Sequence, residues 1–106
     1  MLLCSKKEIY VLTVIVRYSV VIQAMRLLWE RAKIVVEPSG SVGLAVALSP
    51  PFLSLAQRHG WKNIVIILSG GNVDLDCPLP WTSAEYQLWK KTGAPSDSNN
   101  AWIRDV

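Results

Sequence analysis

The sequence predicts an α/β fold with parallel strands and packed helices, and three observations predict it. Two apolar runs, Ile34-Val35-Val36 and Ile64-Val65-Ile66-Ile67-Leu68, are mostly β-branched and read as strands. The second has the continuous apolar pattern of a strand buried on both faces. Stretches of helical periodicity precede and separate the two runs, and the order helix, strand, helix, helix, strand predicts a parallel pair with a right-handed crossover. Each run also ends in a polar, glycine-containing cluster: Glu37-Pro38-Ser39-Gly40 after the first, Ser69-Gly70-Gly71-Asn72 after the second. Open α/β sheets bind ligands outside the carboxyl ends of their strands. The clusters therefore predict two turns that build one site, with glycine letting backbone come close to a ligand.

In chain order, Ile9 to Val16 is almost entirely Val, Ile, Leu, Tyr and Thr, and reads as a strand. From about Val20 the period changes. Val21, Met25, Leu28 and Ala32 fall on one helical face, and Gln23, Arg26, Glu30 and Lys33 on the other. Arg26 and Glu30 are spaced to pair at i,i+4. After the strand 34–36, Gly40 to Leu48 carries no charge and is too short to span a membrane, so it is expected to be an interior helix. Pro38 or Ser39 marks its start, and Gly40, Gly43 and Ala47 let it lie close to neighbouring backbone. Ser49-Pro50-Pro51 starts the next helix, Phe52 to His59, which Gly60 closes. Trp61-Lys62-Asn63 leads into the strand 64–68. Beyond Asp76 the pattern decays. Ala84 to Lys91 reads as a short helix, and Thr92 to Asn100 as loop or disordered tail.

At 106 residues the chain holds one domain at most. Its hydrophobic share, 51% with five tryptophans, is high for so small a globule, and predicts apolar surface left open for another chain or domain. A homo- or hetero-oligomer is the expected consequence. The net charge of +3 comes from scattered basic residues with no interleaved aromatic stripe, which argues against nucleic-acid binding. Cys4 and Cys77 supply neither a CxxC pair nor a four-cysteine zinc site, so no metal is expected. His59, the one histidine, sits at a predicted helix end, where a basic side chain suits the dipole. Arg17 interrupts the apolar run 10–16, and no small-residue cleavage site follows it. The expectation is no signal, no membrane span and a cytoplasmic location.

The glycine clusters match neither GxxxxGK[ST] nor GxGxxG, so neither is a phosphate loop. Taken alone, Ser69–Asn72 either reverses the chain or contacts a ligand. Glu37 is either a helix-start acid favoured by the dipole or a functional carboxylate.

A larger pattern connects them: Ala24-Met25-Arg26-Leu27-Leu28-Trp29-Glu30-Arg31, then Val35-Val36-Glu37-Pro38-Ser39-Gly40 with Val42-Gly43-Leu44-Ala45, then Gly60-Trp61-Lys62-Asn63-Ile64 and Leu68-Ser69-Gly70-Gly71-Asn72-Val73-Asp74-Leu75. In this order and spacing the chain resembles the carboxyl-terminal part of the serine racemase and serine/threonine dehydratase family, fold-type II enzymes that depend on pyridoxal phosphate. The resemblance covers residues 21–76. Residues 1–20, an apolar β-prone segment, and 77–106, a tail expected to be partly disordered, do not share it.

The resemblance implies a partial fold-type II (tryptophan synthase beta-like) large domain and a small amino acid substrate. It further implies cofactor contacts at three residues. Ser69 matches the serine whose hydroxyl meets the pyridine nitrogen of pyridoxal phosphate, Glu37 a glutamate near the ring, and Gly70 the residue that lets backbone approach it. A neutral hydroxyl at the ring nitrogen supports a pyridinium far less than a carboxylate would, which suits prompt loss of a β-hydroxyl. The family's cofactor-binding lysine lies in an amino-terminal motif of the SFKxRGA kind. That motif, the phosphate-holding glycine loop and the cation-binding carboxylates are absent from this sequence. No catalytic residue is therefore expected within the chain, and no catalysis by the chain alone. The competing expectations are a non-enzymatic module that docks on a full-length relative, and a fragment without independent function.

Overall fold

The computed structural model describes residues 2–4, 9–11 and 14–92. Strands β1 (Leu2–Cys4) and β2 (Ile9–Val11) pair antiparallel, with Leu3 opposite Tyr10. Among the described residues, the strand expected from Ile9 to Val16 forms a ladder over Ile9–Val11, and residues 14–17 have no ladder partner.

Helix α1 (Tyr18–Leu27) begins at Arg17, whose extended backbone (ψ 144°) turns its carbonyl toward the Val20 and Val21 amides. It buries Val20, Val21, Ile22, Ala24 and Met25, a wider face than the period predicts, which shares Val21 and Met25 with it. The helix then widens. Over Leu28–Ala32 the Lys33 amide reaches back to the Leu28 carbonyl, and Lys33 closes the turn in the left-handed region at φ 59°. A wide turn shifts the face by about one residue. That is why Ala32, expected on the buried face, is exposed while Leu28 is half-buried. The expected Arg26–Glu30 pair forms at 2.6 Å, and the hydrogen bond holds Glu30 below and Arg26 above their ordinary pKa values.

A tight turn at Ser39–Ser41 leads into α2 (Val42–Ala47), and α3 (Pro50–His59) follows. Ser49 occupies the cap position of α3, but its hydroxyl donates back to the Val46 carbonyl at 2.6 Å and so closes α2 instead. Gly60 ends α3 at φ 67°, with open space around the position of a Cβ. Gly60→Ala would meet only the backbone penalty, and should lower stability by about 1–2 kcal/mol in urea unfolding. His59 stacks on Trp61, their rings 5.0 Å apart and 13° from parallel. No single helix among the described residues is long and apolar enough to cross a membrane. Ser39–Ala47 and Pro50–His59 qualify only as a pair, bent by 59°.

The main departure from expectation lies between Trp61 and Asp74. The segment runs extended without bend or turn, yet it belongs to no ladder among the described residues. Nor is it buried on both faces: Val65 is 85% and Ile67 82% exposed, while Ile66 and Leu68 are half-buried. An apolar run is buried on both faces only where layers cover both, and here α2 packs on one face alone, with Gly43 against Ile66. Ser69-Gly70-Gly71-Asn72 is not a turn either. Gly60 is the one described glycine with positive φ, and the chain first turns at Leu75-Asp76.

The chain ends its described part with a tight turn at Pro80–Thr82 and helix α4 (Ala84–Thr92), where the Ser83 hydroxyl accepts from the Tyr86 amide. Of the stretch Thr92 to Asn100 read as loop or disordered tail, Thr92 belongs to α4 and the rest falls outside the described residues. Trp29, Trp61, Trp81 and Trp89 are all half-buried against the core clusters, and Trp29 meets Trp81 edge-on at 5.4 Å. Apart from Tyr18, the large apolar side chains exposed among the described residues are aliphatic.

Candidate functional site

Ile34–Val36, expected as a strand, forms no ladder among the described residues either, with Ile34 and Val35 exposed and Val36 buried. The two polar clusters come together because the segments that precede them rest on one core. Ile22, Met25, Val36 and Tyr86 form a buried cluster, against which Leu28, Trp29, Leu68 and Val73 pack. Val36 directly precedes Glu37, and Leu68 directly precedes Ser69, so burying this pair aligns the two segment ends. The joint is one backbone hydrogen bond, from the Glu37 amide to the Gly70 carbonyl at 3.0 Å.

Glycine is required along this joint for close approach rather than for turning. A Cβ on Gly70 would collide with the Glu37 carboxylate, and one on Gly71 would lie 2.9 Å from the Val35 carbonyl oxygen. A Cβ on Gly40 would lie 2.8 Å from Val36 Cγ2 and 3.0 Å from the Gly70 carbonyl oxygen. Glu37 and Gly70 are therefore in contact, both half-buried. Ser69 is exposed, in the outward row with Val65 and Ile67, and no hydrogen bond links it to Glu37.

Two side chains that the motif reading did not single out hold the joint in place. The Trp29 indole donates from Nε1 to the Val36 carbonyl at 2.9 Å, and the Ser41 hydroxyl donates to the Glu37 carbonyl at 3.0 Å. Both belong to polar groups buried or half-buried at helix ends, a signal the sequence carries only as composition. Trp29→Phe keeps the ring packing but leaves the Val36 carbonyl without its donor. It should lower stability by about 1–2 kcal/mol in urea unfolding, and shift the Glu37 amide resonance.

Past the joint, Asp74 accepts from the Asp76 amide at 2.9 Å and the Cys77 thiol at 3.2 Å, which hold its carboxyl below the usual range. Among the described residues no three His, Cys, Asp or Glu side chains come together as a metal-ligand set. A separate hollow of about 280 Å³, lined by Arg17, Tyr18, Glu85 and Trp89 among others, includes none of Glu37, Ser69 and Gly70.

Comparison with known proteins gives relatives of one kind. Human serine racemase is 47% identical over 69 residues, covering 60% of this chain and 20% of its own. The Arabidopsis thaliana serine racemase is 51% identical over 55 residues, 52% of this chain and 17% of its own. A beta-hydroxyaspartate dehydratase of Paracoccus denitrificans (strain Pd 1222) is 43% identical over 61 residues, 58% of this chain and 18% of its own. The chain thus spans about a fifth of the length of these curated relatives. No protein-family model and no solved structure matches it. Over somewhat more than half its length, this chain is a partial relative of the serine racemase and dehydratase family.

Proposed function

We propose that the chain is a carboxyl-terminal portion of a pyridoxal-phosphate-dependent serine racemase or serine/threonine dehydratase, contributing one edge of the cofactor site. The observation that carries this reading is the Glu37–Gly70 joint, at 3.0 Å between two family motifs far apart in sequence. The residues present fit the ring edge of such a cofactor. Ser69 offers an exposed hydroxyl, and Gly70 beside it has no side chain to block approach. In this reading the Ser69 hydroxyl meets the pyridine nitrogen, Gly70 lets backbone approach the ring, and the Glu37 carboxylate lies near it. Ile34–Val36 and Ile64–Leu68 become parallel strands when further strands cover them.

Pyridoxal phosphate supplies the electron sink for breaking bonds at the α-carbon of a small amino acid such as serine or threonine. The part of this chain is orientation. Ser69 is a neutral partner that leaves the ring a weaker sink than a carboxylate would, which favours β-elimination. The chain carries no lysine in a cofactor-binding motif and no phosphate-binding loop, so it does not catalyse alone.

The test has two arms. The purified chain, mixed with pyridoxal phosphate and L-serine, should form no pyruvate, and pyruvate formation would refute the absence of independent activity. Co-expression with the amino-terminal part of a relative should restore pyruvate formation. There, Ser69→Ala should weaken cofactor affinity roughly fivefold, the loss of one hydrogen bond. Unchanged affinity in that variant would remove Ser69 from the site.

A further inference from the structure

The hollow between α1 and α4 lies apart from everything the family resemblance covers. Of its lining, Ile22 alone falls within residues 21–76. It also includes no residue of Ile34–Val36 or Ile64–Leu68, the segments that further strands would cover. At about 280 Å³ it has room for one small molecule.

Both helices start at this hollow. Arg17, Tyr18 and Ser19 line it from the head of α1, and Ser83 and Glu85 from the head of α4. A helix start carries unpaired amides and the positive end of the dipole. In α1 the Arg17 carbonyl accepts from the Val20 and Val21 amides, at 3.1 and 3.2 Å, and the Tyr18 and Ser19 amides before them have no intrahelical acceptor. In α4 the Ser83 hydroxyl and carbonyl accept from the Tyr86 and Gln87 amides, which leaves those of Ala84 and Glu85 without one. The α1 start and the Arg17 guanidinium together make a seat for a carboxylate.

Glu85 brings the opposite charge. Among the described residues it makes no hydrogen bond or ion pair, so its carboxylate is available to a cation. The rest of the lining is mainly apolar or aromatic, with Ile22, Pro80 and Trp89. Trp89 packs on the cluster of Val20 and Val21, and its Nε1 is buried without a hydrogen-bond partner. An unpaired buried donor is costly, and an acceptor seated in the hollow relieves it after a small turn of the ring.

We infer that the hollow binds a free α-amino acid with an apolar, preferably aromatic, side chain. The carboxylate sits toward Arg17 and the start of α1, the ammonium toward Glu85, and the side chain against Ile22 and Trp89. The site is separate from the Glu37–Gly70 joint, and it stands independently of the cofactor reading.

Titration of the purified full-length chain with L-phenylalanine, followed by NMR of the indole N–H resonances, tests it. The Trp89 resonance, identified by its loss in Trp89→Phe, should move to saturation. Hydrocinnamate lacks the ammonium and phenethylamine lacks the carboxylate, and each should bind about tenfold more weakly. L-serine, which has no apolar side chain to bury, should also bind about tenfold more weakly. Glu85 is exposed, so Glu85→Gln leaves the core untouched, as circular dichroism will check. That variant should bind L-phenylalanine about tenfold more weakly and hydrocinnamate as before. No saturable shift of the Trp89 resonance would overturn the site. Hydrocinnamate binding as tightly as L-phenylalanine, or unchanged L-phenylalanine affinity in Glu85→Gln, would overturn the amino acid as its ligand.

Discussion

Met25→Ala is expected to destabilise the chain by about 2–5 kcal/mol, the largest single effect of any substitution considered. Met25 is 0% exposed and lies on the inner face of α1, in the cluster with Ile22, Val36 and Tyr86. Truncation removes its packing and leaves a cavity among rings and branched side chains that relax only partly. The effect reaches the candidate site because Val36 and Leu68, which place Glu37 and Ser69, rest on the same cluster. Urea unfolding should show a lowered midpoint with an unchanged slope, and amide exchange at Glu37 should accelerate. Met25→Leu, which conserves volume, should cost less than about 1.5 kcal/mol. Equal losses in the two variants would show that the site is not filled as described.

Gly40→Ala is expected to cost about 1–3 kcal/mol, through overpacking rather than through backbone conformation. Gly40 is buried, its φ is not positive, and a Cβ there meets Val36 Cγ2 at 2.8 Å and the Gly70 backbone oxygen and nitrogen at 3.0 and 3.3 Å. Two of those neighbours are main chain and cannot swing aside, so the joint between the segment ends must open. Gly70→Ala gives the contrast. Its nearest neighbour is the far end of the Glu37 side chain, which can rotate away. That variant should lose less stability than Gly40→Ala while displacing the carboxylate. The two differ in chemical denaturation, and in the side-chain shifts of Glu37. A larger loss from Gly70→Ala would reverse the assignment of which glycine holds the joint.

Much of the local structure is legible in the residues. Gly60 after His59 predicts a left-handed helix end, and the chain adopts it at φ 67°. The spacing of Arg26 and Glu30 predicts their pair, and the absence of charge from Gly40 to Leu48 predicts a packed helix, where Gly43 meets the Ile66 side chain. The motif order also carries the relation to the serine racemases and dehydratases, of which relatives at 43–51% identity are found. Helix ends and i,i+4 charge pairs are short-range matters, and a single stretch of chain states them completely.

Two properties were decided only in three dimensions. Ser69-Gly70-Gly71-Asn72 has the composition of a turn, yet the chain runs straight through it. Its glycines serve approach by Glu37 and Val35, residues distant in sequence whose position no local pattern encodes. Ile64–Leu68 has the composition of a strand buried on both faces, yet Val65 and Ile67 face outward. Composition records what a segment is able to bury. What it does bury depends on which other layers are present, and among the described residues α2 covers one face while Val65 and Ile67 on the other stay exposed. The sequence by itself therefore determined the helices, their ends and the ancestry. The tertiary structure decided that Glu37 and Gly70 meet, and that among the described residues the extended segment beside them joins no ladder.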